Sequence, residues 1–315
     1  MRKSIIIILG IIIPGIIFFF ALSCNDDPVS PPNANQWIPR ESGTTEHLCD
    51  VTWNGSKFII SGWDIILSST NGVNWTKEEF PPEFVADGKV LSEAVWSETR
   101  HLFLLAGDNI IMTSPDGSAW TMRESGLEWG FIGSAAVFDT LFLISYQNPI
   151  TLLTSGDGIT WTAHPDIGPF EKMAASDTLL IGVGGGEIYS SVNGIDWILR
   201  HSVDSLIYCI TWFQNKSLWV AAGHLGAFWK SSNGIDWTSF DAGAGEFSSL
   251  LDAVSFGSNC TIVGHANGPG LILNSTDGES WSKTIIDSVG WLNGLAASPV
   301  QTVVVGENGV ILTKP

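Results

Sequence analysis

The stretch Ser69-Thr70-Asn71-Gly72-Val73-Asn74-Trp75 decides the fold, because it returns at Ser114 to Trp120, Ser155 to Trp161, Ser191 to Trp197, Ser231 to Trp237 and Ser275 to Trp281. All six copies read SxDGxxW or SxNGxxW. An Asp-Gly or Asn-Gly pair between alternating apolar segments is a strong hairpin signal, since both turn residues favour positive φ. The tryptophan follows at a fixed offset, where its ring covers the hairpin.

The motif tryptophans are spaced by 45, 41, 36, 40 and 44 residues, the period at which one repeat makes one four-stranded propeller blade. Before each turn we read an inner strand (Asp50 to Trp53, Glu93 to Trp96, Ser134 to Phe138, Lys172 to Ala175, Tyr208 to Trp212, Asp252 to Phe256), then a second apolar strand and a third leading into the turn. Gly290 to Pro315 holds three further strands and stops short of a tryptophan. The segment Gln36-Trp37-Ile38-Pro39-Arg40-Glu41-Ser42-Gly43 matches Ala119 to Gly126 in its Trp, Arg, Glu, Ser and Gly positions. It therefore supplies the missing fourth strand. The expectation is an all-β, seven-bladed propeller over residues 36–315, closed by strands from both ends of the chain.

The blade pattern VGxxGxIxxSxDGxxW, seen in Val305-Gly306-Glu307-Asn308-Gly309-Val310-Ile311 and in the six turns, resembles the BNR or Asp-box repeats of bacterial propellers, most closely the photosystem II assembly and stability factor type. The resemblance implies the fold and a role in protein assembly. Repeats of this kind also serve sialidases, xyloglucanases and receptor ectodomains, and a fold shared so widely carries no activity by itself.

Upstream of the repeats, residues 1–23 have the parts of an export signal: basic Arg2 and Lys3, an apolar run from Ile5 to Leu22, and Ser23 before Cys24. Ala21-Leu22-Ser23-Cys24 resembles the bacterial lipobox, which implies that Cys24 becomes a lipidated N-terminus. Residues 24–35 are then a Pro-rich tether. The acidic pair Asp26-Asp27 resembles surface-export signals, so a lipid-anchored place in the cell envelope, at the outer membrane, is expected. With a formal charge of −18 the chain repels a phosphate backbone, and nucleic acid is excluded as a partner. Cys49, Cys209 and Cys260 read as buried thiols.

The turn residues Asn71, Asp116, Asp157, Asn193, Asn233 and Asp277 read as structural. Half are Asn, so charge is dispensable, and no cofactor or metal is called for. The loops between the second and third strands and between blades build the propeller face that binds ligands. The residues just after the second strands include Trp63, Asp108, Tyr146, His224, His265 and Glu307, and Trp129 and Trp291 lie in the inter-blade loops. His224, His265 and Glu307 fall on consecutive blades, a set that would suit a metal or acid–base work, with a solvated mouth as the default. Trp63, Trp129, Phe170, Phe247 and Trp291 beside acidic neighbours suit a protein-binding patch or a sugar-stacking groove. A sialidase is excluded, because Arg40, Arg123 and Arg200 lie on outer strands of separate blades and Arg100 on the opposite face. The expected function is a membrane-anchored, non-catalytic module that binds a protein or glycan. The alternative is a glycoside hydrolase with a carboxylate pair on the loop face.

Overall fold

Each repeated turn is held by its own side chains. Ser114 Oγ accepts the Gly117 N–H at 2.9 Å, and Asp116 Oδ1 accepts the N–H groups of Ser118 and Ala119, both at 2.9 Å. Asn193 and Asn233 make the same bonds with an amide oxygen in place of a carboxylate. The glycine is required twice over. Gly117 sits at φ +72°, and a Cβ there would lie 2.5 Å from Ile59 Cδ1 of the preceding blade. The turn thus also rests on its neighbour.

The computed structural model describes residues 36–84, 88–127 and 130–315. The apolar leader, Cys24, the spacer and Trp129 lie outside the described residues. Seven four-stranded antiparallel sheets are present, and six use consecutive strands. The seventh joins Leu292–Ala297, Thr302–Gly306 and Ile311–Lys314 to Ile38–Arg40, with Ile38 opposite Thr313 and Arg40 opposite Ile311. The ring is closed by the strand expected to close it. Arg40 Nε donates to Thr313 Oγ1 at 2.8 Å, and Arg123 and Arg200 repeat that bond to Thr113 and Ser190 at 2.8 Å each. All three arginines are therefore spent along outer strands, where the sequence pattern puts them.

The core is divided between the blades. Seven apolar clusters each combine residues of two consecutive blades, and each takes in one motif tryptophan, for example Trp75 against Phe58 and Trp197 against Phe170. Trp37 fills that place in the closing blade, where it is buried. Seven tryptophans seal seven interfaces. Cys49, Cys209 and Cys260 are free thiols, the first partly and the other two fully buried, and burial pushes Cys49 and Cys260 up to about 12.

Candidate functional site

The propeller offers two places for chemistry, the channel along its axis and the face built by the loops. Register defines the channel. Asp50, Glu93, Ser134, Lys172, Cys209, Asp252 and Gly294 hold one equivalent position, each paired with the second strand of its own blade. In six of the seven a bulge falls just before this residue, as between Leu48 and Asp50 or Leu91 and Glu93. A bulge adds a residue and re-aims the side chain that follows.

The oxygens at this position tie one blade to the next. Asp50 Oδ2 accepts the Ala94 N–H at 2.9 Å, Glu93 Oε2 that of Ala135 at 3.2 Å, Ser134 Oγ that of Met173 at 3.0 Å and Asp252 Oδ2 that of Leu295 at 3.0 Å. Lys172 has no acceptor to offer. Its Nζ instead crosses the channel to Glu93 at 3.4 Å and Asp252 at 3.3 Å, on blades two places away to either side. Burial pushes the Asp50 carboxyl up to about 6 and the Glu93 carboxyl up to about 8 despite the ammonium. The neighbouring acids hold Lys172 protonated against its own burial, well above the ordinary lysine range. Beyond this cluster, towards the face of the repeated turns, a cavity of about 360 Å³ is walled by Thr52, Trp53, Val95, Trp96, Val137 and Val254. Among the described residues, no group of His, Cys, Asp and Glu is placed to hold a metal ion.

The loop face carries most of the residues selected from sequence. Trp63 and Trp291 are each 44% exposed, on the adjacent blades 1 and 7. His265 stacks on Trp291 with ring centres 4.2 Å apart and planes 9° apart, and His47 lies tilted against Trp63 at 4.7 Å. The loops beneath are tied. Gly309 N donates to Glu46 O at 2.8 Å, Asn293 Nδ2 to Leu48 O at 2.9 Å and Trp63 N to His47 O at 2.9 Å. Glu307 Oε2 accepts the Trp291 N–H at 3.4 Å. Burial lowers the His265 pKa, the Glu307 carboxylate works against that, and His224 adds to it. His224 is turned to its neighbour blade, with Nδ1 3.4 Å from Ser249 Oγ. Asp108 is exposed and accepts the Ile132 N–H at 3.2 Å.

Two aromatic residues expected on this face are inside. Tyr146 is fully buried in the cluster between blades 2 and 3, its ring against Gly130, and its phenol is pushed up by burial. Its strand runs on to Asn148, so the position expected to open the loop still belongs to the sheet. Phe170 is buried under Trp197. Phe247, in contrast, is 74% exposed. Sequence reasoning missed the channel cluster. The available signal was a charged residue opening an otherwise apolar inner strand in four blades.

No family model matches the sequence, and no curated protein matches it. Solved structures do. YCF48 bound to D1 peptide superposes with a TM-score of 0.71 at 15% identity over 89% of this chain and 97% of that one. YCF48 from Cyanidioschyzon merolae gives 0.67 at 17% identity over 88% and 98%. Virginiamycin B lyase from Staphylococcus aureus, with quinupristin, gives 0.73 at 9% identity over 88% and 98%. The likeness extends to the fold, which serves binding and catalysis alike in these proteins.

Proposed function

We propose that this chain is a membrane-tethered recognition module, lipidated at Cys24, whose propeller captures a segment of another protein on its loop face without catalysis. The observation that carries the reading is the pair of half-exposed indoles, Trp63 and Trp291, fixed by hydrogen-bonded loops on adjacent blades. Exposed aromatic side chains on a rigid base are the usual anchors of a binding surface. A peptide-bound propeller of similar fold, YCF48 with D1 peptide, supports the same use of this architecture. The channel acids Asp50, Glu93 and Asp252 are committed to holding the blades together, since they accept backbone N–H groups or pair with Lys172.

The test compares the full chain with its Trp63→Ala and Trp291→Ala variants in pull-downs from an envelope extract and on a glycan array. A retained protein lost on either change supports the module. A retained glycan lost in the same way replaces the protein partner by a sugar, and release of reducing ends from that glycan overturns the non-catalytic reading.

A further inference from the structure

Resting on the loop-face reading above, we infer that the partner segment is cationic, a stretch of polypeptide whose arginine side chains lie on Trp63 and Trp291 among carboxylates. The distribution of charge is the first argument. Among the described residues of the segments that build this face, Lys89 is the one lysine or arginine, while Glu46, Asp64, Asp108, Glu171, Glu246 and Glu307 are among its acids. The other cations of the described chain belong to other segments, Lys77, Lys230 and Lys314 among them to the strands Thr76–Lys77, Phe228–Ser231 and Ile311–Lys314. Arg40, Arg123 and Arg200 run along outer strands, Lys57, Arg100 and Lys216 sit in hairpins of the opposite face, and Lys172 is inside the channel. Lys283 reaches back towards the loop face, where the Ala244 carbonyl takes its ammonium. In a chain of formal charge −18, a face with this composition repels anions and other copies of itself, and attracts a positive segment.

The geometry of the two indoles is the second argument. Each is backed by an imidazole and still presents close to half of its surface, so it offers a prepared platform rather than a side chain that must first be ordered. Glu307 lies beside Trp291, and Glu46 is exposed next to His47, the residue that packs on Trp63. An exposed aromatic ring with carboxylates on the neighbouring loops suits a guanidinium, which stacks through its plane and donates through its rim. On the opposite face the carboxylate of Glu98 is already taken by the Trp96 indole N–H at 2.7 Å. The exposed apolar side chains of that face include Phe256 and the aliphatic Ile159, Val192, Ile195 and Ile235, which repeat with the turns.

Selection from a phage-displayed random-peptide library tests the inference, with the full chain in non-ionic detergent as bait and a Trp63→Ala/Trp291→Ala variant as counter-bait. Near-UV circular dichroism and the melting midpoint establish that the variant keeps its fold. Enrichment of peptides rich in arginine and lysine on the wild type alone is the expected result. A synthetic copy of an enriched peptide should bind about threefold more weakly to each single variant, the effect of removing one exposed cation–π pair. Its affinity should fall about tenfold from low to high salt. Enriched peptides that depend on the tryptophans but carry neutral or acidic side chains overturn the cationic partner and leave the module reading standing. Equal enrichment on both baits, or none on either, overturns both.

Discussion

Replacing Lys172 by Met keeps the length and apolar stem of the side chain and removes the cation from between Glu93 and Asp252. The ammonium lies 3.4 and 3.3 Å from those two carboxylates, and Asp50 also bears on it. Breaking a buried ion pair by deleting one partner costs about 3–5 kcal/mol, because the charges left behind are unpaired in a poor solvent. Protons relieve part of that cost. Glu93, at about 8, is already mostly protonated near neutrality, and Asp50, at about 6, follows as the pH falls. We therefore expect a loss of about 4 kcal/mol at pH 8 and about 1–2 kcal/mol at pH 5. In a chain of this size about 1 kcal/mol moves the melting midpoint by about 2 °C, so the midpoint should fall by about 8 °C at pH 8 and about 3 °C at pH 5. Differential scanning calorimetry at the two pH values measures both. A loss of equal size at the two would mean that the stem's packing, and not its charge, is what matters, and no loss at either would refute the account of the channel.

The wild type should itself respond to pH. Asp50 and Glu93 sit above the ordinary carboxylate value of about 4, so the native state holds protons that the unfolded chain has released; stability is fully present below about pH 4 and declines through about pH 8. Glu93→Gln should flatten that slope in urea titrations taken across the window. At the repeated turn of blade 6, where backbone N–H groups hold Asp277 down to about 2, Asp277→Asn should be neutral, since Asn occupies the place in other blades. Asp277→Ala should lower the melting midpoint by a few degrees through loss of the Glu279 and Ser280 bonds. Cys49, Cys209 and Cys260 should resist iodoacetamide at pH 8 in the native state and react in denaturant, which peptide mass spectrometry reads directly.

The blade count was legible because its signals are local. An Asn-Gly or Asp-Gly turn and a tryptophan four residues after its Asn or Asp need no partner to be recognised, and the Trp37 segment betrays the closing strand by repeating the Trp120 segment. The channel was not legible in this way. Asp50, Glu93, Lys172 and Asp252 each open an inner strand in the sequence pattern, yet the meeting of the first two and the last depends on bulges, which belong to strand pairing and leave no local mark. The loop face was half legible. Trp63 and Trp291 are exposed where loops were expected, whereas Tyr146 is buried because its strand runs on to Asn148, three residues past Ser145 where the sequence pattern ends it.

The closing sheet has a consequence for how such a chain is made. Ile38–Arg40 is among the first described strands to be synthesised, but its partner, Ile311–Lys314, is the last, and the Arg40–Thr313 bond joins residues 273 apart in the chain. Bringing ends so distant together costs about 5 kcal/mol of chain entropy. That cost is recovered only after the intervening blades have folded and drawn the ends close. Until then the early strand stays unpaired and Trp37 has no interface to fill. A chain interrupted before Ile311 is left with an open sheet edge and an unfilled place for Trp37, a form suited to recognition by proteases.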